Sequence, residues 1–147
     1  MTSVYLDVCC LNRPFDDQTQ TRIRLEAEAV VMVLARCQTG DWEWVSSEVV
    51  DLEIERTPDP GRRHRVRLLV STARRWIQMD TQVKVRAQEI ETWGIDAFDA
   101  LHLACAESGG VDVLLTTDDR LLRRCADRSL DLHVRVANPL VWIQEIG

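Results

Sequence analysis

Apolar residues fall in short stretches that alternate with longer stretches at helical spacing. The first short stretch, Val4–Cys10 interrupted by Asp7, predicts a buried strand, and the Asn, Pro and Asp residues of Leu11–Asp17 predict a loop after it. Since strands alternate with helices and are mostly apolar, the pattern predicts a mainly parallel sheet covered by helices on both faces. The other predicted strands are 42–45, 76–80, 111–115 and 132–136, and the predicted helices are 19–39, 48–56, 61–71, 81–93, 96–107, 119–129 and a short one from 138.

The helix predicted over 96–107 is apolar nearly all round. Between Ala97 and Ala106 only Asp99 and His102 are polar, and their i, i+3 spacing puts them on one face. A helix of this composition is buried, and an ionised carboxylate in it is costly unless a cation, a charged partner or strong donors meet it. Asp99 therefore pairs with an arginine in a structural ion pair or binds a metal ion.

Three further acids fall near the carboxyl ends of predicted strands. Asp7 lies in or after the first strand, Glu53 in the helix after the second, and Asp118 just after the strand that ends at Leu115. Ligands bind at this edge of parallel sheets. Four acids together raise one another's pKa values, and Mg²⁺ or Mn²⁺ with its preference for oxygen ligands would relieve that repulsion. Neighbouring acids have simpler expected roles: Asp96 and Asp119 at helix starts, and Glu48, Asp51 and Glu55 around Glu53.

Composition bounds the class of protein. The 147 residues predict one domain over 1–147, and a net charge of −6 gives no general attraction to nucleic acid, so any such contact needs a local basic patch. Five cysteines without CxxC spacing predict free thiols in a reducing compartment. We expect no signal peptide, no membrane span and a cytoplasmic location.

Arginines supply the candidate phosphate contacts. Arg13 near the first acid and Arg120 beside Asp118 are the best placed. The run Arg62–Arg67 could also bind RNA phosphates, although such a run is more often a solvated helix face or a contact for an acidic partner.

Several of these segments together resemble the PIN domain family. They are Val4–Asp7, Leu52–Ile54 after Ser47, the Asp-Ala-Leu-His-Leu-Ala-Cys-Ala stretch of Asp99–Ala106, and Leu115–Asp119; Leu11–Asp17 resembles a bacterial, VapC-like subgroup. The resemblance spans essentially the whole chain. It implies a three-layer α/β/α sandwich with a central, mainly parallel sheet.

The resemblance also implies a function and roles for residues. The protein would be a ribonuclease that uses Mg²⁺ or Mn²⁺, the toxin of a type II VapBC-type pair, with Asp7, Glu53, Asp99 and Asp118 as catalytic metal ligands. Thr116 matches the threonine that orients the last acid. Cys9 departs from the family's usual Ser, Thr or Asn, and a thiol is a poor ligand for a hard cation; Asn12 is the candidate for the missing polar group. We expect RNA as substrate, a small antitoxin protein as partner, and a homodimer.

Two other functions compete with this one. A receiver-like or phosphatase-like α/β protein needs a nucleophilic Asp with a Lys partner, and the one lysine, Lys84, lies in a polar helix pattern. A catalytically weak or inactive PIN-like binding module would be compatible with Cys9, although four intact acids argue against it.

Overall fold

The computed structural model describes residues 1–146, so Gly147, the last residue of the predicted domain, lies outside the described residues. Five strands and eight α-helices alternate along the chain, and a 3-10 turn over Arg13–Phe15 follows the first helix. The strands are β1 (Thr2–Leu6), β2 (Trp42–Ser47), β3 (Arg75–Ile77), β4 (Val113–Leu115) and β5 (Arg135–Ala137). The helices are α1 (Val8–Asn12), α2 (Thr21–Gln38), α3 (Glu48–Glu55), α4 (Pro60–Val70), α5 (Thr81–Glu91), α6 (Ala97–Ser108), α7 (Asp119–Cys125) and α8 (Pro139–Ile146).

The strands form one parallel sheet in the order β3-β2-β1-β4-β5. β1 is central, and its Tyr5 lies opposite Val45 of β2 and Leu114 of β4. Helices flank the sheet, which confirms the predicted α/β fold. Because all strands run the same way, the segments after β1, β2 and β4 meet at one edge, where the predicted acids lie.

The core confirms that α6 is a buried helix. Its residues Ala100, Leu103, Cys105 and Ala106 have no exposed surface and pack with the central strands. Asp96 caps the helix by accepting a hydrogen bond from the Asp99 amide at 3.0 Å, as predicted. A rigid helix therefore carries Asp99 and His102 to the carboxyl edge of the sheet.

The prediction was wrong immediately after β1. Val8–Cys10 does not continue the strand but begins α1, because the Asp7 side chain accepts from the Val8 amide at 2.8 Å and caps a helix there. The predicted loop over Leu11–Asp17 is correspondingly shorter, since α1 runs to Asn12 and the 3-10 turn follows. Helix α7 ends at Cys125, four residues before its predicted end.

None of the helices within residues 1–146 has both the length and the apolar character needed to cross a membrane. All five cysteines are free thiols, as predicted.

Candidate functional site

Asp7 is the most buried of the four predicted acids, with 5% of its surface exposed. One carboxylate oxygen caps α1, and the other accepts a hydrogen bond from the Thr116 hydroxyl at 2.8 Å. The Cys9 thiol also donates to this second oxygen, at 3.4 Å. The Asp7 carboxylate thus accepts hydrogen bonds from the first two residues of α1 and from the residue that follows β4.

Thr116 connects Asp7 to Asp118. Its hydroxyl donates to Asp7 and accepts from the Asp118 amide at 3.1 Å. Asp118 caps α7, because one carboxylate oxygen accepts from the amides of Arg120 and Leu121 at 2.9 and 3.3 Å. The hydroxyl of the fully buried Thr116 therefore orients both acids, because it contacts the carboxylate of Asp7 and the backbone amide of Asp118.

Glu53 reaches the site from α3 through a buried histidine. The Nε2 atom of His102 lies 2.7 Å from Oε1 of Glu53 and 3.8 Å from Oδ1 of Asp7. On the other side of the ring, Nδ1 lies 2.6 Å from the Tyr5 hydroxyl, which in turn lies 2.6 Å from Oγ of Ser47. His102 is thus a buried histidine with a hydrogen-bond partner at each ring nitrogen.

The protonation state of His102 sets the direction of these linked hydrogen bonds. Burial raises the pKa of Tyr5, so its hydroxyl stays a neutral donor. With a neutral imidazole, Ser47 donates to Tyr5, Tyr5 donates to Nδ1, and Nε2–H donates to Glu53. Burial lowers the pKa of His102, but the hydrogen bond to Glu53 and the charges of Asp7 and Glu53 outweigh this, and the net pKa is raised.

Asp99 carries the largest electrostatic cost among the four acids. Burial, together with the charges of Asp7, Asp96 and Asp118, raises its pKa to about 7, against a smaller opposing effect of His102. No ion pair within residues 1–146 includes Asp99, so the structural pairing with an arginine that the sequence allowed is not found there.

The donor set fits a hard divalent cation. Oxygen atoms of Asp7 and Glu53 and a nitrogen of the buried His102 lie within 4.8 Å of one another, so the two carboxylates are close enough to share one cation. Asp99 and Asp118 add carboxylate oxygens at the same edge of the sheet. Burial raises the pKa of Asp99, and repulsion by Asp7, Asp96 and Asp118 raises it further. Carboxylate oxygens are the ligands that Mg²⁺ and Mn²⁺ prefer, and a cation would remove that repulsion.

Asn12 and Arg13 have other partners than those predicted, whereas Arg120 lies beside Asp118. Asn12 donates to the Val8 carbonyl at 3.1 Å, has no contact with Asp7, and its Oδ1 has no partner among the described residues. The Arg13 guanidinium bonds Glu26 at 2.9 Å and Asp16 at 3.0 Å, so carboxylates already occupy two of its donors. Arg120 is exposed and lines a cavity beside Asp118.

The PIN domain family model matches residues 4–127. The chain belongs to the PIN domain family. A search of curated proteins found no match. Among solved structures, the fold is similar to FitAcB from Neisseria gonorrhoeae, at a TM-score of 0.58 and 17% identity over 92% of this chain and 97% of that one. It is also similar to VapBC from Salmonella typhimurium, at a TM-score of 0.58 and 18% identity over 95% of this chain and 99% of that one. VapBC2 from Rickettsia felis has a TM-score of 0.59 and 12% identity over 92% of this chain and 98% of that one.

A buried ion network supports the last acid of this PIN domain, and no sequence pattern predicted it. Glu26 of α2 is 1% exposed and bonds Arg13, Arg22 at 3.2 Å and Asn138 at 2.6 Å. Arg22 extends to Asp119, with two contacts of 2.7 Å, and to the Thr117 carbonyl at 3.3 Å. These contacts hold the segment that carries Asp118, and they confirm Asp119 as a first-turn acid of α7.

Proposed function

We propose that this PIN protein is a metal-dependent endoribonuclease that hydrolyses RNA phosphodiester bonds and is the toxin of a type II toxin–antitoxin pair. The proposal is supported by the position of Asp7, Glu53, Asp99 and Asp118 near the carboxyl edge of a parallel sheet, and by the pKa of Asp99, which burial and the charges of Asp7, Asp96 and Asp118 raise. PIN domains are nucleases, and such a cluster is the site that a divalent cation requires.

These four acids would hold Mg²⁺ or Mn²⁺. When bound, the cation supplies Lewis-acid activation of the phosphodiester bond and of its attacking water. Neighbouring groups of this protein position two of the four acids. Thr116 and the Val8 amide fix the two oxygens of Asp7, and the buried His102 orients Glu53.

A small antitoxin is the proposed protein partner. Support comes from the solved structures of similar fold, which are described as FitAcB and as VapBC, one of them bound to DNA from its own promoter. We further propose that the toxin acts in the cytoplasm and forms a homodimer. Purification with the product of the adjacent open reading frame tests the pairing, and light scattering of the toxin alone tests the dimer.

One observation favours a second candidate, a PIN-like binding module with weak or no turnover. The Cys9 thiol lies 3.4 Å from the Asp7 carboxylate and 3.3 Å from the Thr116 hydroxyl, where a harder oxygen would serve a metal better. Such a module would bind RNA or an antitoxin without cleaving the strand.

Purified protein incubated with unstructured and structured RNA tests the two candidates. We expect cleavage with Mn²⁺ or Mg²⁺, none with EDTA, and loss of at least about 100-fold in Asp7→Asn and Asp99→Asn. Cleavage that persists in EDTA or in both variants contradicts the proposed mechanism. RNA binding without cleavage under any metal condition would favour the binding module.

A further inference from the structure

A cavity beside the four acids is lined by both acidic and basic residues. Its volume is about 610 Å³, within the range of ligand sites in proteins. Its lining includes the acids Asp96, Asp99 and Asp118 and the α7 arginines Arg120, Arg123 and Arg124. We call these three arginines the basic wall.

The basic wall has no partner within the part of the chain that the structure describes. No ion pair and no guanidinium hydrogen bond there involves any of the three residues, which are all exposed. The arginine run that the sequence singled out differs, because Arg62 bonds Asp16 and Arg67 bonds Glu55.

Helix stability alone does not explain the basic wall. Positions 120, 123 and 124 share one face, where like charges three and four residues apart repel. The helix dipole favours Arg123 and Arg124 in the last turn, but Arg120 lies in the first turn, where a cation is unfavourable. An anionic ligand would make all three positions favourable.

Gly94 leaves room for the guanidinium of Arg124. A Cβ atom at Gly94 would come within 2.7 Å of Nη2 of Arg124, so the guanidinium packs against bare glycine backbone. Gly94 has φ +84°, in the turn between α5 and α6. The arginine therefore spans from α7 to the segment that leads into Asp96 and Asp99.

We propose that the basic wall binds the phosphate next to the scissile one on a single RNA strand, an inference that rests on the proposed ribonuclease function. A strand cleaved at the four acids continues through the same cavity, and the guanidinium fork matches phosphate oxygens. Asp7 is almost buried, so the scissile phosphate must enter a recess, which a flexible single strand does more easily than a duplex.

The test compares Arg120→Gln, Arg123→Gln, Arg124→Gln and the triple variant with Arg128→Gln, which changes an exposed arginine outside the cavity. Binding of a single-stranded oligoribonucleotide is measured in the Asp7→Asn background, and cleavage in the otherwise wild-type protein. We expect each substitution to raise the Kd about three- to tenfold and to reduce the slope of log Kd against log salt by about 0.7 per lost contact. KM should rise with kcat little changed, and Arg128→Gln should match its parent.

The outcomes separate this site from the proposed function. Wild-type protein that binds the strand without cleaving it, with weaker binding in the triple variant, supports the phosphate site and refutes the ribonuclease. Normal cleavage with unchanged Kd and KM in the triple variant overturns the phosphate site alone. Unchanged RNA affinity with lost binding of poly-glutamate would assign the basic wall to an acidic protein and also overturn it. If the triple variant unfolds at a lower temperature than its parent, the Kd and KM values of the single variants are used to judge the phosphate site.

Discussion

His102 Nε2 lies 2.7 Å from the Glu53 carboxylate and 3.8 Å from that of Asp7, so one buried imidazole reaches two of the four acids. Because the Tyr5 hydroxyl holds the other ring nitrogen, the ring orientation is fixed from β1. His102→Gln and Tyr5→Phe should each weaken Mn²⁺ binding about 10- to 100-fold, as loss of a positioning partner does in metal sites. Calorimetric titration measures this. The control is His64→Gln on the exposed face of α4, and equal affinities in all variants would contradict the positioning role.

Asp99 makes the metal-free protein sensitive to pH. Its pKa is about 7 in the fold and 3.8 in the reference state, so the folded state binds the proton more tightly. Stability from this group is complete below pH 3.8 and is lost as the pH rises to about 7. In EDTA, Asp99→Asn should therefore be more stable than wild type at pH 8, by about 1–2 kcal/mol after allowance for solvent screening, with a smaller gain at pH 5.

Urea unfolding at both pH values measures this difference. With Mn²⁺ the wild type should become the more stable of the two proteins, because the cation binds its Asp99 carboxylate and the variant lacks that ligand. A wild type that is the more stable protein in EDTA at pH 8 would rule out the repulsion among these acids.

Replacing Glu26 should lower the free energy of unfolding much more than replacing an exposed residue of the same helix. It is 1% exposed and bonds three side chains, and Glu26→Ala leaves two arginines and Asn138 without their shared acceptor. We expect a loss of about 3–5 kcal/mol in the free energy of unfolding. The control is Glu28→Ala, an exposed position of the same helix, and similar unfolding curves for both variants would refute the network's role.

Cys9→Ser should improve the metal site. A serine hydroxyl at this position is a stronger hydrogen-bond donor to Asp7 and a harder atom beside the cation than the thiol at 3.4 Å. We expect Mg²⁺-dependent activity to rise about two- to tenfold. Cys37→Ser, at a half-buried position on α2, is the control; a fall in activity in Cys9→Ser alone would mean that the thiol is part of the working site.

The sheet and the buried helix α6 could be predicted from the sequence because each has a local signal, a run of apolar residues at strand or helix spacing. The four acids follow or lie near such runs, and their role as metal ligands stays a prediction. The sequence did not predict that Asp7 begins a helix, because three apolar residues after an acid fit a strand as well as a helix. Partners far apart in the chain were also missed. Tyr5 in a buried strand needed a hydroxyl partner, which was a usable signal, but nothing local connects Arg13 to Glu26 or Arg22 to Asp119.

We propose that Asp7, Glu53, Asp99 and Asp118 form one metal site. The decisive test is titration of Mn²⁺ into wild type, into the four single amide variants, and into Asp96→Asn and Asp119→Asn. The last two variants change neighbouring acids that cap α6 or bond Arg22. We predict that each of the four amide variants binds Mn²⁺ at least about tenfold more weakly than wild type, and that Asp96→Asn and Asp119→Asn bind within about twofold of it. Wild-type affinity in any of the four, or losses as large in Asp96→Asn and Asp119→Asn, would contradict the claim.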